Sequence, residues 1–410
     1  MTDLGPRFVS ALGFVSMMAI AWACSSDRRN VPWRTVGWGI ALQLALGLLL
    51  LKSEPGRLFF IGVNGVVARF ILYADAGSRF VFGALADTGF SFVVNVLPIV
   101  IFMGAFFAVL YHLGLIQRVV DVLALALSRT MRLSGAESLA AVANVFVGMT
   151  EAALVVKPYL SQMTRSELFT LMSLGMSTVA GSVLLAYVGI LGGGNWAGHL
   201  VTASFLSAPA GLLIAKLMLP ESETPTTRGH DHSHVEREGV NVIDAAATGA
   251  LNGLRLAAYI GALLIAFVAL IALVNDALGL LGAIVGIPGL SFQQLLGWLL
   301  APLGWLMGVP WADAAEVGAL LGIKTVLNEF IAYQELAVLV EAGAITQRSA
   351  VIASYALCGF ANFGSLAILL GGIGGMAPER RPDVARLGLR SILAGSLATF
   401  MTGCVAGMLL

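Results

Sequence analysis

The chain of 410 residues is 58% hydrophobic and only 11% charged, and its 23 basic and 23 acidic side chains cancel at neutral pH. Soluble domains carry about 25% charged residues, so this composition excludes a soluble globular protein and indicates a polytopic membrane protein. The neutral balance gives no reason to expect nucleic acid as a partner. Three cysteines, Cys24, Cys358 and Cys404, fall in apolar segments without metal-like spacing and read as packing residues.

In chain order, Asp3 and Arg7 precede an apolar run that is followed by arginines, the pattern of a first spanning helix. A span needs about 20 apolar residues, and eight stretches supply them: 8–25, 35–52, 91–113, 166–191, 196–219, 250–275, 349–374 and 384–409. Residues 55–90 carry Arg57, Arg69, Asp75, Arg79 and Asp87 among Phe, Ile and Val, which predicts helices lying in the interface. Residues 116–133 space Arg118, Asp121, Arg129 and Arg132 around a Leu/Ala/Val face and predict another. Residues 220–245 form a soluble linker containing His230-Asp-His-Ser-His234. Alternating histidines can bind a transition metal, but in such a linker they read as a solvated spacer.

Basic residues follow the first span (Arg28, Arg29, Arg34) and the third (Arg118, Arg129, Arg132). Others lie between the fifth and sixth (Lys216, Arg228, Arg237, Arg255) and between the seventh and eighth (Arg380, Arg381, Arg386, Arg390). With eight spans all four clusters fall on one side, which the positive-inside rule makes cytoplasmic. Both termini are then expected outside, in the plasma (bacterial inner) membrane.

Two interrupted apolar stretches, 135–162 and 292–343, each hold an acidic residue, Glu151 and Glu329. A carboxylate at membrane depth costs several kcal/mol and by default marks a substrate or ion pathway. The surroundings repeat. Thr150-Glu151 corresponds to Asn328-Glu329, and Met163-Thr-Arg-Ser166 to Thr346-Gln-Arg-Ser349, each opening a span. Sixteen residues beyond those serines stand Ser182 and Ser365, inside the polar clusters Thr178-Val-Ala-Gly-Ser182 and Phe360-Ala-Asn-Phe-Gly-Ser365. Glycine weakens a helix there, and polar neighbours can bond the released backbone.

An arm of about 13 residues reaches only ~20 Å of a ~30 Å core, so residues 135–162 read as a re-entrant hairpin with its tip at Gly148-Met-Thr-Glu151. Three crossings separate it from the second hairpin, so the second enters from the opposite side. Inverted repeats with discontinuous helices meeting at the midplane are the architecture of secondary transporters. The reading is an all-α polytopic protein with eight transmembrane helices, two re-entrant hairpins in an inverted repeat, and interfacial helices.

The hairpin segments resemble those of the concentrative nucleoside transporter family. Where that family has Gly-Gln-Thr-Glu-Ala-Pro-Leu, the chain reads Gly148-Met-Thr-Glu-Ala-Ala-Leu154; where it has Asn-Glu-Phe-Val-Ala-Tyr, the chain reads Asn328-Glu-Phe-Ile-Ala-Tyr333. Met163-Thr-Arg-Ser-Glu-Leu-Phe169, Ala180-Gly-Ser182, Tyr355-Ala-Leu-Cys-Gly-Phe-Ala-Asn-Phe363 and Ala377-Pro-Glu-Arg-Arg381 are also similar, so the resemblance covers roughly residues 90–408.

The resemblance implies a homotrimer that imports nucleosides with a coupling cation. Its scaffold would come from 1–115 and 250–290, its transport repeats from 116–219 and 291–410, and residues 220–249 would link them in the cytoplasm. It implies that Glu329, Asn362 and Ser365 bond the ribose, that Met149, Thr150 and Glu151 face the base, and that Val183 and Phe360 line the apolar part. It implies Na+ as the coupling ion at Asn144, Thr178, Val147 and Val179, with no organic cofactor. Ribose hydroxyls suit an acceptor-only carboxylate, and Na+ suits hard oxygen ligands.

The alternative within transport is a proton-coupled carrier, with the proton on a buried glutamate, for nucleosides or another ribose-like solute. A membrane-embedded enzyme using the paired glutamates is the alternative class; without a His-Glu-x-x-His motif or a serine elbow the chain reads as a carrier and not an enzyme. Met149 replaces the family glutamine, and a thioether has no donor to read a base edge. Base preference stays open among a broad range, purines and a modified nucleoside.

Overall fold

The computed structural model describes residues 4–87, 91–227, 240–284 and 286–410, which are helical and joined by turns, with no strand among them. His230–His234, together with Arg228 and Arg237, lies outside the described residues. Helices α1 (Leu4–Ala23) and α2 (Trp33–Lys52) match the first two expected spans. The interfacial set expected at 55–90 is instead dominated by one continuous helix, α3 (Glu54–Phe82). Its charges are absorbed locally, Arg57 pairing with Glu54 and Arg79 with Asp75 at 2.7 Å and Asp87 at 2.6 Å, so they do not interrupt it. A wider turn at Phe92–Val96 leads into α4 (Leu97–His112), and the amphipathic α5 (Leu115–Met131) follows.

The first repeat comprises α6 (Gly135–Phe146), α7 (Met149–Val155), α8 (Arg165–Ser177), α9 (Gly181–Ile190) and α10 (Trp196–Met218). Local sequence sets these starts. Ser134 with Glu137, and Thr164 with Glu167, form reciprocal capping boxes that satisfy two otherwise orphaned amides each. After α11 (Val242–Ile284) and α12 (Phe292–Leu306), the second repeat comprises α13 (Trp311–Val326), α14 (Glu329–Glu341), α15 (Gln347–Leu357), α16 (Phe363–Met376) and α17 (Arg381–Leu409). At 43 residues α11 would extend about 65 Å, so the expected linker is already helical from Val242.

Both polar clusters break their spans. α8 and α9 are separated at Thr178–Ala180, and α15 and α16 at Cys358–Asn362. Eight helical stretches among the described residues are long and apolar enough to cross a bilayer, but not the same eight. The α3 stretch joins the set, and 349–374 leaves it because its break divides it into helices of 11 and 14 residues.

The ends of the bundle are fixed by side chains bonding to chain termini and turns. Arg390 donates to the Cys24 carbonyl at 2.9 Å and to the Met218 carbonyl at 3.0 Å, and Arg34 donates to the carbonyls of Arg129 and Thr130. At this basic end α6 begins, since Lys216 pairs with Glu137 and donates to Ser166 at 2.8 Å. At the other end Arg7 donates to the Leu410 carbonyl, Ser10 to that of Met307, and Arg348 to those of Gly308 and Gly407. There α13 begins, after a 115° bend from α12, with Asp313 accepting from the hydroxyls of Thr346 and Ser349 at 2.8 and 2.6 Å. The two repeats therefore enter from opposite ends, as the odd number of crossings requires.

Helices α8, α10 and α17 are largely buried, whereas α1 to α4 and α11 form the exposed periphery. Peripheral α4 and α11 pack backbone to backbone. A Cβ on Gly104 would sit 2.6 Å from the Gly249 carbonyl oxygen, and one on Gly253 would sit 2.8 Å from the Ile101 Cα. Small residues allow this approach where water supplies no hydrophobic force.

Candidate functional site

Each repeat brings two helix ends toward the middle of the bundle. In the first, α6 stops at Phe146 and α7 starts at Met149 across Val147-Gly148. Gly148 has φ +116°, and a Cβ there would lie 3.0 Å from both the Ala180 Cβ and the Glu151 Oε2, so only glycine fits this tip. In the second, α13 stops at Val326 and α14 starts at Glu329 across Leu327-Asn328. Asn328 caps α14 by accepting from the Ile331 amide at 2.9 Å. The breaks therefore align Met149 with Glu329, two residues off the sequence pairing of Glu151 with Glu329. The chain turns before a glycine-led Met-Thr-Glu in one repeat and before Glu329 itself in the other.

All eight residues expected to bind substrate line one cavity of about 120 Å³: Met149, Thr150, Glu151, Val183, Glu329, Phe360, Asn362 and Ser365. They come from α7, α9, α14, α16 and the break before α16, which sequence distance alone separates by up to 216 positions. Glu329 is only 4% exposed. Its Oε1 accepts from the Tyr187 hydroxyl at 2.9 Å, and its Oε2 accepts from Asn362 Nδ2 at 2.7 Å. A carboxylate offers about four lone-pair sites, so each oxygen retains capacity for a further donor.

Asn362 is held on its other side, its Oδ1 accepting from the Ser365 amide at 2.7 Å as the cap of α16. Glu151 is exposed, and its Oε2 accepts from the Thr150 hydroxyl at 2.9 Å. Met149 is buried, with its Cβ 2.9 Å from where a Cβ on Gly175 of α8 would stand.

Sequence reasoning missed two contributions. Tyr187 on α9 stacks on Tyr333 with ring centroids 4.4 Å apart and orients Glu329. A tyrosine inside an apolar span needs a partner for its hydroxyl, and that was the available signal. The second is Leu256, Tyr259, Ile260 and Leu263 of α11, which close the cavity from the periphery. These are ordinary span residues and carry no signal of their own.

A larger cavity of about 270 Å³ lies beside the first, walled by α4, α6, α7 and α11, and the two share Thr150, Glu151, Ser182 and Leu256.

The four residues expected at a cation site gather where α6 ends beside the α8–α9 break. Asn144 is 1% exposed, and among the described residues neither its Oδ1 nor its Nδ2 has a hydrogen-bond partner. The Thr178 hydroxyl lies 3.4 Å from the Asn144 carbonyl oxygen and 3.0 Å from that of Leu174. Val147 follows the end of α6, and Val179 is fully buried within the break. An unpaired buried amide costs about 1–3 kcal/mol, and an oxygen-preferring ion would relieve it.

Family models described as the Na+ dependent nucleoside transporter N-terminus and C-terminus match residues 12–85 and 199–407, and one described as nucleoside recognition matches residues 93–194. The chain is 46% identical to the uncharacterized transporter YutK of Bacillus subtilis, over 97% of this chain and 98% of that one. It is 42% identical to solute carrier family 28 member 3 of Rattus norvegicus, over 98% of this chain but only 59% of that protein. The fold superposes on CNTnw in an inward-facing substrate-bound state with a TM-score of 0.92 at 42% identity, covering 98% of each chain. It superposes on a CNTnw variant in an outward-facing state with a TM-score of 0.93, also at 42% identity and covering 98% of this chain and 97% of that one. The chain is an integral membrane protein of the concentrative nucleoside transporter family.

Proposed function

We propose that the protein is a secondary-active symporter that imports nucleosides by alternating access, coupled to Na+. One observation carries the reading: the buried Glu329, braced by Tyr187 and Asn362, faces a cavity shared with every other residue of the expected substrate set. Glu329, Asn362 and Ser365 take the ribose hydroxyls, Thr150 and Glu151 face the base with Met149 beside them, and Val183 and Phe360 pack on the apolar part. The donor-poor Met149 leaves selection of the base to shape and to the Thr150–Glu151 pair.

Na+ is favoured over a proton by the unpaired Asn144 side chain, a neutral oxygen donor beside Thr178, Val147 and Val179. The exposed periphery with α4 and α11 acts as scaffold, and the two repeats move against it in elevator fashion within a homotrimer. The basic end faces the cytoplasm of a bacterial inner membrane.

Purified protein in proteoliposomes is expected to accumulate radiolabelled uridine or adenosine against a gradient when Na+ is high outside. Ribose hydroxyls bonded to a carboxylate are worth about 1.5–3 kcal/mol each, so 2′- or 3′-deoxynucleosides should compete roughly ten- to a hundredfold less well. Accumulation that follows a pH gradient and ignores Na+ would reject the sodium assignment; accumulation of neither nucleoside would reject the substrate class.

A further inference from the structure

Lys324 is a fully buried basic side chain that the substrate and sodium assignments leave unused. It lies two residues before the end of α13, and Asn144 lies two residues before the end of α6, so the helix breaks make them equivalent in the two repeats. The Lys324 ammonium donates to the Ala356 carbonyl at 2.8 Å and to the Thr399 hydroxyl at 2.8 Å. Ala356 is the penultimate residue of α15, next to the break at Cys358–Asn362. In the first repeat the same corner holds the orphaned Asn144 amide and the Thr178 hydroxyl beside the end of α8.

The end of a helix leaves its last carbonyls unsatisfied and carries a partial negative charge. Two such ends, of α8 and α15, are buried at the centre of this molecule. One meets a neutral side chain whose amide oxygen can ligate a cation. The other meets a basic side chain that donates to it directly.

We propose that Lys324 is a tethered cation, occupying in the second repeat the place a mobile cation takes in the first. This pair of sites therefore couples one Na+ per protomer and not two. The ammonium holds the broken α15–α16 span against α13 without being exchanged. It also places a basic group five residues before Glu329 on the second hairpin, whereas the first hairpin waits for its ion.

The inference rests on the nucleoside-symporter reading, and the test separates the two. Detergent-solubilised parent, Lys324→Asn and Lys324→Met are compared for binding of tritiated uridine and adenosine across a NaCl series. Choline chloride holds ionic strength constant. The parent should show a Hill coefficient for Na+ near one.

Lys324→Asn copies the first repeat and should bind with a coefficient rising toward two and a midpoint shifted at least tenfold to higher Na+. Lys324→Met, which keeps length but no charge, should lose at least tenfold in affinity at every Na+ concentration. Parental binding by Lys324→Met, or an unchanged coefficient in a Lys324→Asn variant that binds, overturns the proposal. If Lys324→Asn fails to fold, Lys324→Met decides alone; if the parent binds neither nucleoside, the substrate reading fails instead. Melting temperature then carries the test, since Na+ should raise that of Lys324→Asn above its value in choline by more than it raises the parent's. Equal Na+ increments in both would overturn the tethered cation without reference to substrate.

Discussion

Glu329 begins α14 with both carboxylate oxygens accepting, one from the Tyr187 hydroxyl and one from the donor-only Asn362 amide nitrogen. Glutamine at this position would turn an NH2 toward one of them: Asn362 Nδ2 cannot accept it, and the Tyr187 oxygen can do so only if the hydroxyl gives up the bond it donates. The substitution also removes the negative charge that strengthens bonds from substrate hydroxyls. At about 1.5–3 kcal/mol for each charge-assisted bond, Glu329→Gln is predicted to weaken nucleoside binding about a hundredfold or more. Binding calorimetry reads that loss, and size-exclusion chromatography should show an unchanged assembly; wild-type affinity would remove Glu329 from the ribose role.

The residue was legible because an acidic side chain in apolar sequence has few innocent explanations. Tyr187 was not, since a tyrosine in a span reads as packing until its hydroxyl is seen bonded. Lys324 stood in the sequence five residues before Glu329, but only the helix break that sets it opposite Asn144 reveals a correspondence.

Helix breaks are the working elements of this fold, and Gly148 is the most constrained of them. Its φ of +116° with ψ near 173° falls in a region essentially reserved for glycine. A Cβ would also press on Ala180 and on the Glu151 carboxylate. Gly148→Ala should therefore cost about 1–3 kcal/mol and displace the Thr150–Glu151 pair. The expected result is a lowered melting temperature together with reduced nucleoside affinity; wild-type values for both would show that the tip tolerates another conformation.

At this scale the sequence was informative where chemistry forces an outcome. Glycine and polar side chains at Thr178–Ser182 and Phe360–Ser365 mark breaks because an unbroken apolar helix has no use for them. It was less informative where two structures share a pattern. The charges of residues 55–82 suit several interfacial helices or one continuous helix equally, and only the local pairing of Arg57 and Arg79 distinguishes them. The two-residue offset between the repeats was hidden for a similar reason, because matching the two glutamates by name outweighed the caps that place the turns.

For the whole molecule, the elevator reading proposed above requires motion between a centre and a periphery. The repeats enter from opposite ends and meet around the substrate cavity, while α4 and α11 lock together through Gly104, Gly249 and Gly253 as a unit of their own. The cavity is closed on one side by α11 and continues past Thr150, Glu151, Ser182 and Leu256 into the larger space between α4, α11 and the first hairpin. A site walled jointly by both units changes its access when one slides on the other, and packed interfaces have discrete rather than graded positions.

Ser182 on α9 and Leu256 on α11 stand on opposite sides of that boundary and line both cavities. Cysteines at these two positions, in a background where the exposed Cys24 is replaced by serine, should be bridged by a short bifunctional thiol reagent or by Hg2+. Bridging is predicted to stop uptake while leaving nucleoside binding measurable, because the site remains assembled but cannot change sides. Each protein carrying only one of the two introduced cysteines should transport normally after the same treatment, which controls for reaction at the buried Cys358 and Cys404. Removal of Hg2+ with excess thiol should restore transport. Undiminished uptake by the bridged protein would mean that α9 and α11 travel together, and the boundary between moving and stationary parts would have to be drawn outside α11.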